Sequence, residues 1–365
     1  VVQRNIGVVA HVDAGKTTLT EQMLYAAGAI SSLGRVDDGT AHTDSMDIER
    51  QRGISVRSAA RVLQWREEWI GIIDTPGHVD FAADVERSLR LLDGAVLVVS
   101  AAEGVQAQTR VLWKALEAMA IPAIIFINKV DRVGANPARV LEDIRRHLTD
   151  RAAPIQSVVG AGQPQASVYP LLDQEPCFQK QAPLLEALAE YDAQSLECFV
   201  EETPLTPSAL RPRLDEALGL GRMVPVLYGA ALHGTGVTAL LDGVLQCIPA
   251  PTADTGAAFS GLVVAVSHER LHGRAALTRI FQGRIGIRDP VEIRRRQQQQ
   301  KVSAVERLEP GGTKTRPQAD AGQLAVFYGL GDVRVGDILG DPTPVPGLHS
   351  MAAPLLRVRV DPPDE

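Results

Sequence analysis

The sequence predicts an α/β domain with a largely parallel sheet, followed by an all-β barrel. Short, continuous apolar runs alternate with helix-like stretches as far as about Leu148. A stretch rich in Pro and Gly then punctuates the chain near Ile248, and short β-rich runs at barrel spacing follow it. Apolar runs without alternation belong to strands buried on both faces, as in a parallel sheet covered by helices.

The elements follow in order. Ile6–Ala10, Ile70–Ile73, Ala95–Val99 and Ile121–Ile127 are the strand candidates. Lys16–Ala27, Phe81–Leu91, Gln108–Met119 and Pro137–Leu148 are the helices between them, on length and hydrophobic period. Over residues 150–222 the rhythm breaks. There Ile155–Val159 and Ala166–Leu171 suit strands, and Leu184–Glu202 and Ser208–Leu218 suit helices. The α/β pattern returns with Met223–Tyr228 and a helix from about Gly236 to Cys247, so residues 150–222 read as an insertion into a first domain spanning 1–250. Ile248-Pro249-Ala250-Pro251 through Gly256 is a linker, by its turn-forming composition. Gly261–Ser267, Ala275–Gly283, Pro290–Arg294 and Gln323–Gly329 predict the barrel, over 257–345, by their length and turn spacing. The polar run Arg294–Gln300 fits a hairpin tip, with an RNA contact as the other reading. Pro354–Asp361 reads as one more strand, so 350–365 is expected to begin a third, truncated domain.

Composition narrows the classes. At 365 residues the chain is long for one domain. Aromatic residues make up only 4%, so the cores must rest on Val, Leu, Ile and Ala. A net charge of −7 excludes a global basic field, and any RNA contact must be a local patch. Cys177, Cys198 and Cys247 have no metal spacing and suit small core hydrophobes in a reducing cytosol. No apolar run approaches the ~18 residues of a membrane span, and no signal-peptide pattern precedes the first strand. The expectation is a cytoplasmic monomer with no membrane association.

Three loops carry chemistry. Ala10-His11-Val12-Asp13-Ala14-Gly15-Lys16-Thr17 fits G-x-x-x-x-G-K-[ST] with Ala for the first Gly, after a strand and before a helix. In such a loop the N–H groups of His11 to Thr18 converge on phosphate oxygens at a helix N-terminus. Lys16 would pair with the β- and γ-phosphates, and the Thr17 hydroxyl would sit on Mg²⁺. Alone, the stretch also suits a strand–helix turn with a surface Lys. Next, Asp74 ends an apolar strand and can hold Mg²⁺ through water, while Gly77 leaves its N–H open to a γ-phosphate. A Pro-Gly turn with an exposed His78 is the plain alternative. Finally, Asn128-Lys129-Val130-Asp131 ends another strand. The Asp131 carboxylate can take both guanine donors, Asn128 can bridge O6/N7 and neighbouring loops, and the Lys129 stem can lie on the base. Adenine would leave those groups unsatisfied. A fifth loop, Gly229-Ala230-Ala231, can aim the Ala231 N–H at O6, with Ala230 where Ser is usual.

AHVDAGKTT, DTPGH and NKVD together resemble the phosphate, sensor and base loops of the translational GTPases. The insertion is similar to that of elongation factor G and its relatives. Gly28-Ala29-Ile30, Val36-Asp37, Glu49–Ile54, Gly104–Arg110 and Arg288-Asp289-Pro290-Val291 are similar to the tetracycline ribosomal protection proteins. The resemblance implies a P-loop GTPase domain with an elongation factor G-type inserted subdomain, then a translation-factor barrel. It implies binding of GTP and GDP with Mg²⁺ and a ribosomal partner, and for the full-length protein release of tetracycline. It makes Gly53-Ile54-Ser55 the switch I anchor, with Ser55 in place of the usual Thr as a Mg²⁺ ligand. It makes His78 the residue orienting the attacking water, Val12 and Ile54 an apolar gate before it, and Asp13 a loop position near metal and phosphate. The rivals are an elongation factor G-like translocase and a regulatory GTP switch with negligible hydrolysis. Asn128 to Asp131 disfavour a plain ATPase.

Overall fold

The computed structural model describes residues 3–34, 60–74, 87–269 and 273–347. Among these, seven strands form one sheet in the order β2-β3-β1-β4-β5-β9-β6. They are β1 (Gln3–Ala10), β2 (Ala60–Trp65), β3 (Glu68–Asp74), β4 (Gly94–Ser100), β5 (Ala123–Asn128), β6 (Ala152–Pro154) and β9 (Val224–Tyr228). All neighbours run parallel except the edge pair β2–β3. The helices are α1 (Lys16–Ala26), α2 (Ala107–Ala118), α3 (Pro137–His147) and α7 (Val237–Cys247). Side chains of β4 alternate between two cores. Ala95, Leu97 and Val99 pack with Leu112, Trp113 and Ile144 of α2 and α3. Val96 and Val98 pack with Leu19 and Met23 of α1 and Leu240 and Val244 of α7. Both faces are therefore buried, which is why the strands read as unbroken apolar runs.

The predicted strands and helices of this sheet are present, with ends shifted by a few residues. Of Phe81–Leu91 only residues from Arg87 are described, and Arg87–Leu89 are helical. The edge strand β2 has no counterpart among the expected strands, because it carries Arg61, Gln64 and Trp65 among its apolar residues.

The expected insertion holds a two-stranded antiparallel ribbon, β7 (Gln156–Val159) with β8 (Ser167–Pro170), and helices α4 (Phe178–Ala189), α5 (Ala193–Val200) and α6 (Pro207–Gly219). The single helix expected over Leu184–Glu202 is in fact two. Asp192 breaks it, leaving the helical region and accepting the Ser195 N–H at 2.7 Å as the cap of α5. Helix α4 also begins earlier than expected and carries Pro183 inside it, whose carbonyl accepts from Arg145 Nη2 at 2.7 Å.

Beyond the linker lies an eight-stranded antiparallel sheet, in the order β14-β13-β19-β10-β11-β18-β15-β16, with a β12–β17 ribbon beside it. Its strands are β10 (Ser260–Glu269), β11 (Gly273–Gln282), β12 (Arg284–Gly286), β13 (Pro290–Ile293), β14 (Gln298–Lys301), β15 (Ala304–Glu309), β16 (Gly312–Thr315), β17 (Gln318–Asp320), β18 (Leu324–Tyr328) and β19 (Ile338–Gly340). Val263, Ala276, Ile285, Ile293, Val305, Ala319, Phe327 and Leu339, from eight of these strands, meet in one core. The polar run Arg294–Gln300 forms the turn between β13 and β14 and the start of β14, as its composition predicts. Pro354–Asp361 lies outside the described residues.

The opposite face of this sheet packs against the first one. Leu262, Ala275, Leu277, Leu324, Val326 and Tyr328 share a core with Ala60, Val62, Ile73 and Leu91. Polar groups are matched across the same seam. The Arg279 side chain, 2% exposed, donates from Nη2 to Asp93 Oδ1 and Oδ2 at 2.8 and 2.9 Å, and from Nη1 to the Gly322 carbonyl. Asn5 completes the seam, donating from Nδ2 to Gly322 O at 3.0 Å and from its backbone N–H to Asp93 Oδ2 at 2.7 Å.

Candidate functional site

The strand order reverses at β1, which lies between β3 and β4. In open α/β sheets the crevice at such a reversal, beyond the strands' carboxyl ends, receives ligands. The loop leaving β1 there is His11–Gly15. Ala10 replaces the first expected Gly without strain, because it ends the strand with its methyl group in the core. Gly15 is indispensable. It caps α1 at φ 96°, in the left-handed region, and a Cβ there would collide with the Asn128 side-chain amide. Asp13 is also left-handed, at φ 63°, without being glycine. Lys16, Thr17 and Thr18 open α1, half-buried. Val12 is 46% exposed.

The base-loop residues close on this loop from the other side. Asn128, the last residue of β5, donates from Nδ2 to Ala14 O and accepts the Ala231 N–H at Oδ1, both at 2.9 Å. It thus ties the phosphate loop to Gly229-Ala230-Ala231 after β9. The Ala231 N–H, expected to point at a base, is held by Asn128. Lys129, left-handed at φ 66°, donates from Nζ to the Asp13 carbonyl. Asp131 faces His233, whose Nε2 lies 3.4 Å from Asp131 Oδ2.

Asp74 is the last residue of β3, in register with Val8 of β1, so its backbone stands beside the strand that feeds the phosphate loop. Gly53, Ile54, Ser55, Gly77 and His78 lie outside the described residues. Among the described residues no group of three His, Cys, Asp or Glu is placed to hold a metal ion. A hydroxyl from Thr17 and a carboxylate at a strand end are nonetheless the hard oxygen donors that suit Mg²⁺.

The contacts of three residues were invisible in the sequence. Glu103, before α2, and Gln108 and Thr109, in its first turn, reach back to the phosphate loop. Gln108 Oε1 accepts the Val12 N–H at 3.1 Å. Thr109 Oγ1 is 3.0 Å from His11 Nδ1 and accepts the Gln106 N–H at 3.2 Å. Glu103 Oε2 is 3.3 Å from His11 Nε2, and its Oε1 is 3.7 Å from Lys129 Nζ. The Glu103 carboxylate only accepts, so the imidazole donates to it from Nε2, and the Nδ1 of the neutral ring then accepts from the Thr109 hydroxyl. Burial holds His11 below the usual histidine range, against the opposing pull of Glu103.

Residues 2–250 match the family model of the elongation factor Tu GTP binding domain. Tetracycline resistance protein TetP of Clostridium perfringens is 38% identical over 356 residues, covering 98% of this chain and 54% of its own. Tetracycline resistance protein TetM of Streptomyces lividans is 41% identical, over 93% and 53%. Elongation factor G 2 of Syntrophomonas wolfei subsp. wolfei is 34% identical, over 92% and 54%. The crystal structure of ttk003000868 from Thermus thermophilus superposes with a TM-score of 0.77 at 26% identity, over 95% of this chain and 56% of that one. The chain therefore spans about half the length of the curated relatives it matches.

Proposed function

The chain belongs to the elongation factor Tu GTP-binding domain family, and from that premise we propose that it binds GTP and hydrolyses it to GDP and phosphate on the ribosome. Within the family we assign it to the ribosomal protection proteins, which would make release of tetracycline the task of the full-length protein. The observation that carries the nucleotide reading is Asn128, which bonds Ala14 of the phosphate loop and Ala231 of the base loop at once. A single side chain thereby fixes the spacing between the two loops that would hold the phosphates and the base.

In this reading the N–H groups of the His11–Thr18 stretch and the Lys16 ammonium take the phosphates, and Asp131 takes the guanine edge. Thr17 and Ser55 would hold Mg²⁺ directly and Asp74 through water; the ion would neutralise phosphate charge. His78 orients a water for in-line attack on the γ-phosphate, the Gly77 N–H senses that phosphate, and Val12 and Ile54 restrict the approach of His78. Little covalent chemistry is left to the protein, so positioning and charge neutralisation dominate. The domain division of this reading is 1–250, with an inserted subdomain at about 150–222, then 257–345, and a third domain beginning at 350–365. The protein would act in the cytoplasm as a monomer.

Equilibrium binding of labelled GDP, with ADP as competitor, tests the nucleotide assignment. Displacement by ADP as effective as that by GDP would overturn it. For the full-length protein, in vitro translation with tetracycline is the test. Protection that requires GTP supports the assignment. Ribosome-stimulated hydrolysis without protection would move it to an elongation factor G-like role, the direction in which Elongation factor G 2 points.

A further inference from the structure

Glu103 and the first turn of α2 make contacts that the nucleotide reading leaves unused. In the structure this segment grips the phosphate loop at two successive residues, His11 and Val12. The loop needs such a hold. Asp13 sits in the left-handed region without being glycine, a conformation that the surrounding contacts help to hold. The grip also extends to the base side, since Glu103 faces Lys129, whose Nζ bonds the Asp13 carbonyl.

We propose that Gln108 is a positioning residue for the phosphate loop, acting through the Val12 N–H, with Glu103 as its counterpart for His11 and Lys129. This rests on the guanine-nucleotide reading and deepens it. Gln108 touches no phosphate. By holding the Val12 N–H it sets the angle at which the N–H groups that follow it converge. Glu103 acts on both subsites, and Gln108 acts on the phosphate loop.

The test substitutes Gln108→Met, which keeps the side chain's length and removes the acceptor oxygen. Gln108 is half-buried at the surface, and the variant is expected to fold. Two readouts are taken on the whole chain: GDP affinity, and amide hydrogen exchange without nucleotide, in peptides covering residues 6–16 and 123–131 and helix α2. Loss of one hydrogen bond predicts a GDP affinity about fivefold weaker. Exchange should rise in residues 6–16 and stay unchanged in α2 beyond Arg110 and in residues 123–131. Glu103→Gln should raise exchange in both residue ranges, again sparing that part of α2. Unchanged exchange at 6–16, faster exchange with undiminished GDP affinity, or a rise spread through α2 would each overturn the positioning role. Absence of GDP binding by the unsubstituted chain is a separate outcome: it sinks the nucleotide reading itself.

Discussion

Asp131 carries base discrimination under the proposed function, because one carboxylate matches both guanine donors. Asp131→Asn is expected to weaken GDP binding by about tenfold or more and to favour xanthine nucleotides, whose 2-oxo group accepts where guanine donates. Competition binding with GDP and XDP measures this, and equal GDP affinity in the variant would remove the assignment. His78→Ala is expected to leave GTP binding nearly intact while abolishing ribosome-stimulated hydrolysis, read in single turnovers. Residues that recur at fixed short spacing were legible in the sequence as candidates: Gly15, Lys16 and Thr17 of the loop after β1, and Asn128 and Asp131 of the loop after β5. Glu103, Gln108 and Thr109 were not. Their partners lie 92 to 98 positions away, and no local pattern encodes a contact of that range. The fate of the Ala231 N–H was hidden for the same reason.

Elements were legible where burial is two-sided and long. The strands β1, β4, β5 and β9 announced themselves as unbroken apolar runs, whereas the short barrel strands β12, β16 and β17 carry too few apolar residues to stand out. The Leu184–Glu202 misreading shows how a cap escapes detection: Asp192 lies between two apolar helical stretches whose periods nearly join. Asp192→Ala should cost about 1 kcal/mol in a denaturant titration, since it removes the cap of α5 and also strands Arg213, whose Nε lies 2.8 Å from Asp192. A second prediction concerns the β15–β16 hairpin. Glu309 is bound by Arg316 at 2.6 and 2.7 Å and by Arg307 at 2.5 and 2.9 Å. These guanidinium groups, Arg316 foremost, hold its carboxyl down at about 2, against 4.5 unperturbed. A carboxylate depressed on folding contributes stability that is whole above the unfolded value and fades as pH falls toward the folded one. Melting temperature should therefore fall between about pH 4.5 and pH 2, and Glu309→Gln should flatten that part of the curve. An unchanged slope in the variant would place the acid sensitivity elsewhere. The cysteines behave as composition suggested for Cys247, whose thiol burial pushes up to about 12, far from a reactive thiolate.

At the scale of the whole molecule, the order of layers was readable, but the seam between the two sheets was not. Nothing local announces that Leu277 and Val326 face Ile73 and Val62 rather than water. Arg279 is the sharpest probe of that seam. Burial lowers its pKa, opposed by Asp93, and the pair is matched only while the sheets stay together. Arg279→Ala leaves Asp93 without its cation and is expected to cost about 3–5 kcal/mol, read as a lower denaturation midpoint. Unfolding of the unsubstituted chain should show the two sheets melting together, by fluorescence of Trp69 and by circular dichroism alike. Separate transitions would show the seam to be weak.

The joint also has a mechanical meaning. Even the linker is fastened, with the Gly283 N–H bonded to Asp254 O at 2.7 Å. Strand β3, which ends at Asp74, is reached from the barrel through a single layer of apolar contacts. A hinge there would have to open those contacts and break the Arg279–Asp93 pair, so slack is removed from the connection. Sheet and barrel are therefore expected to move as one body, so that a displacement of β3 carries the barrel with it.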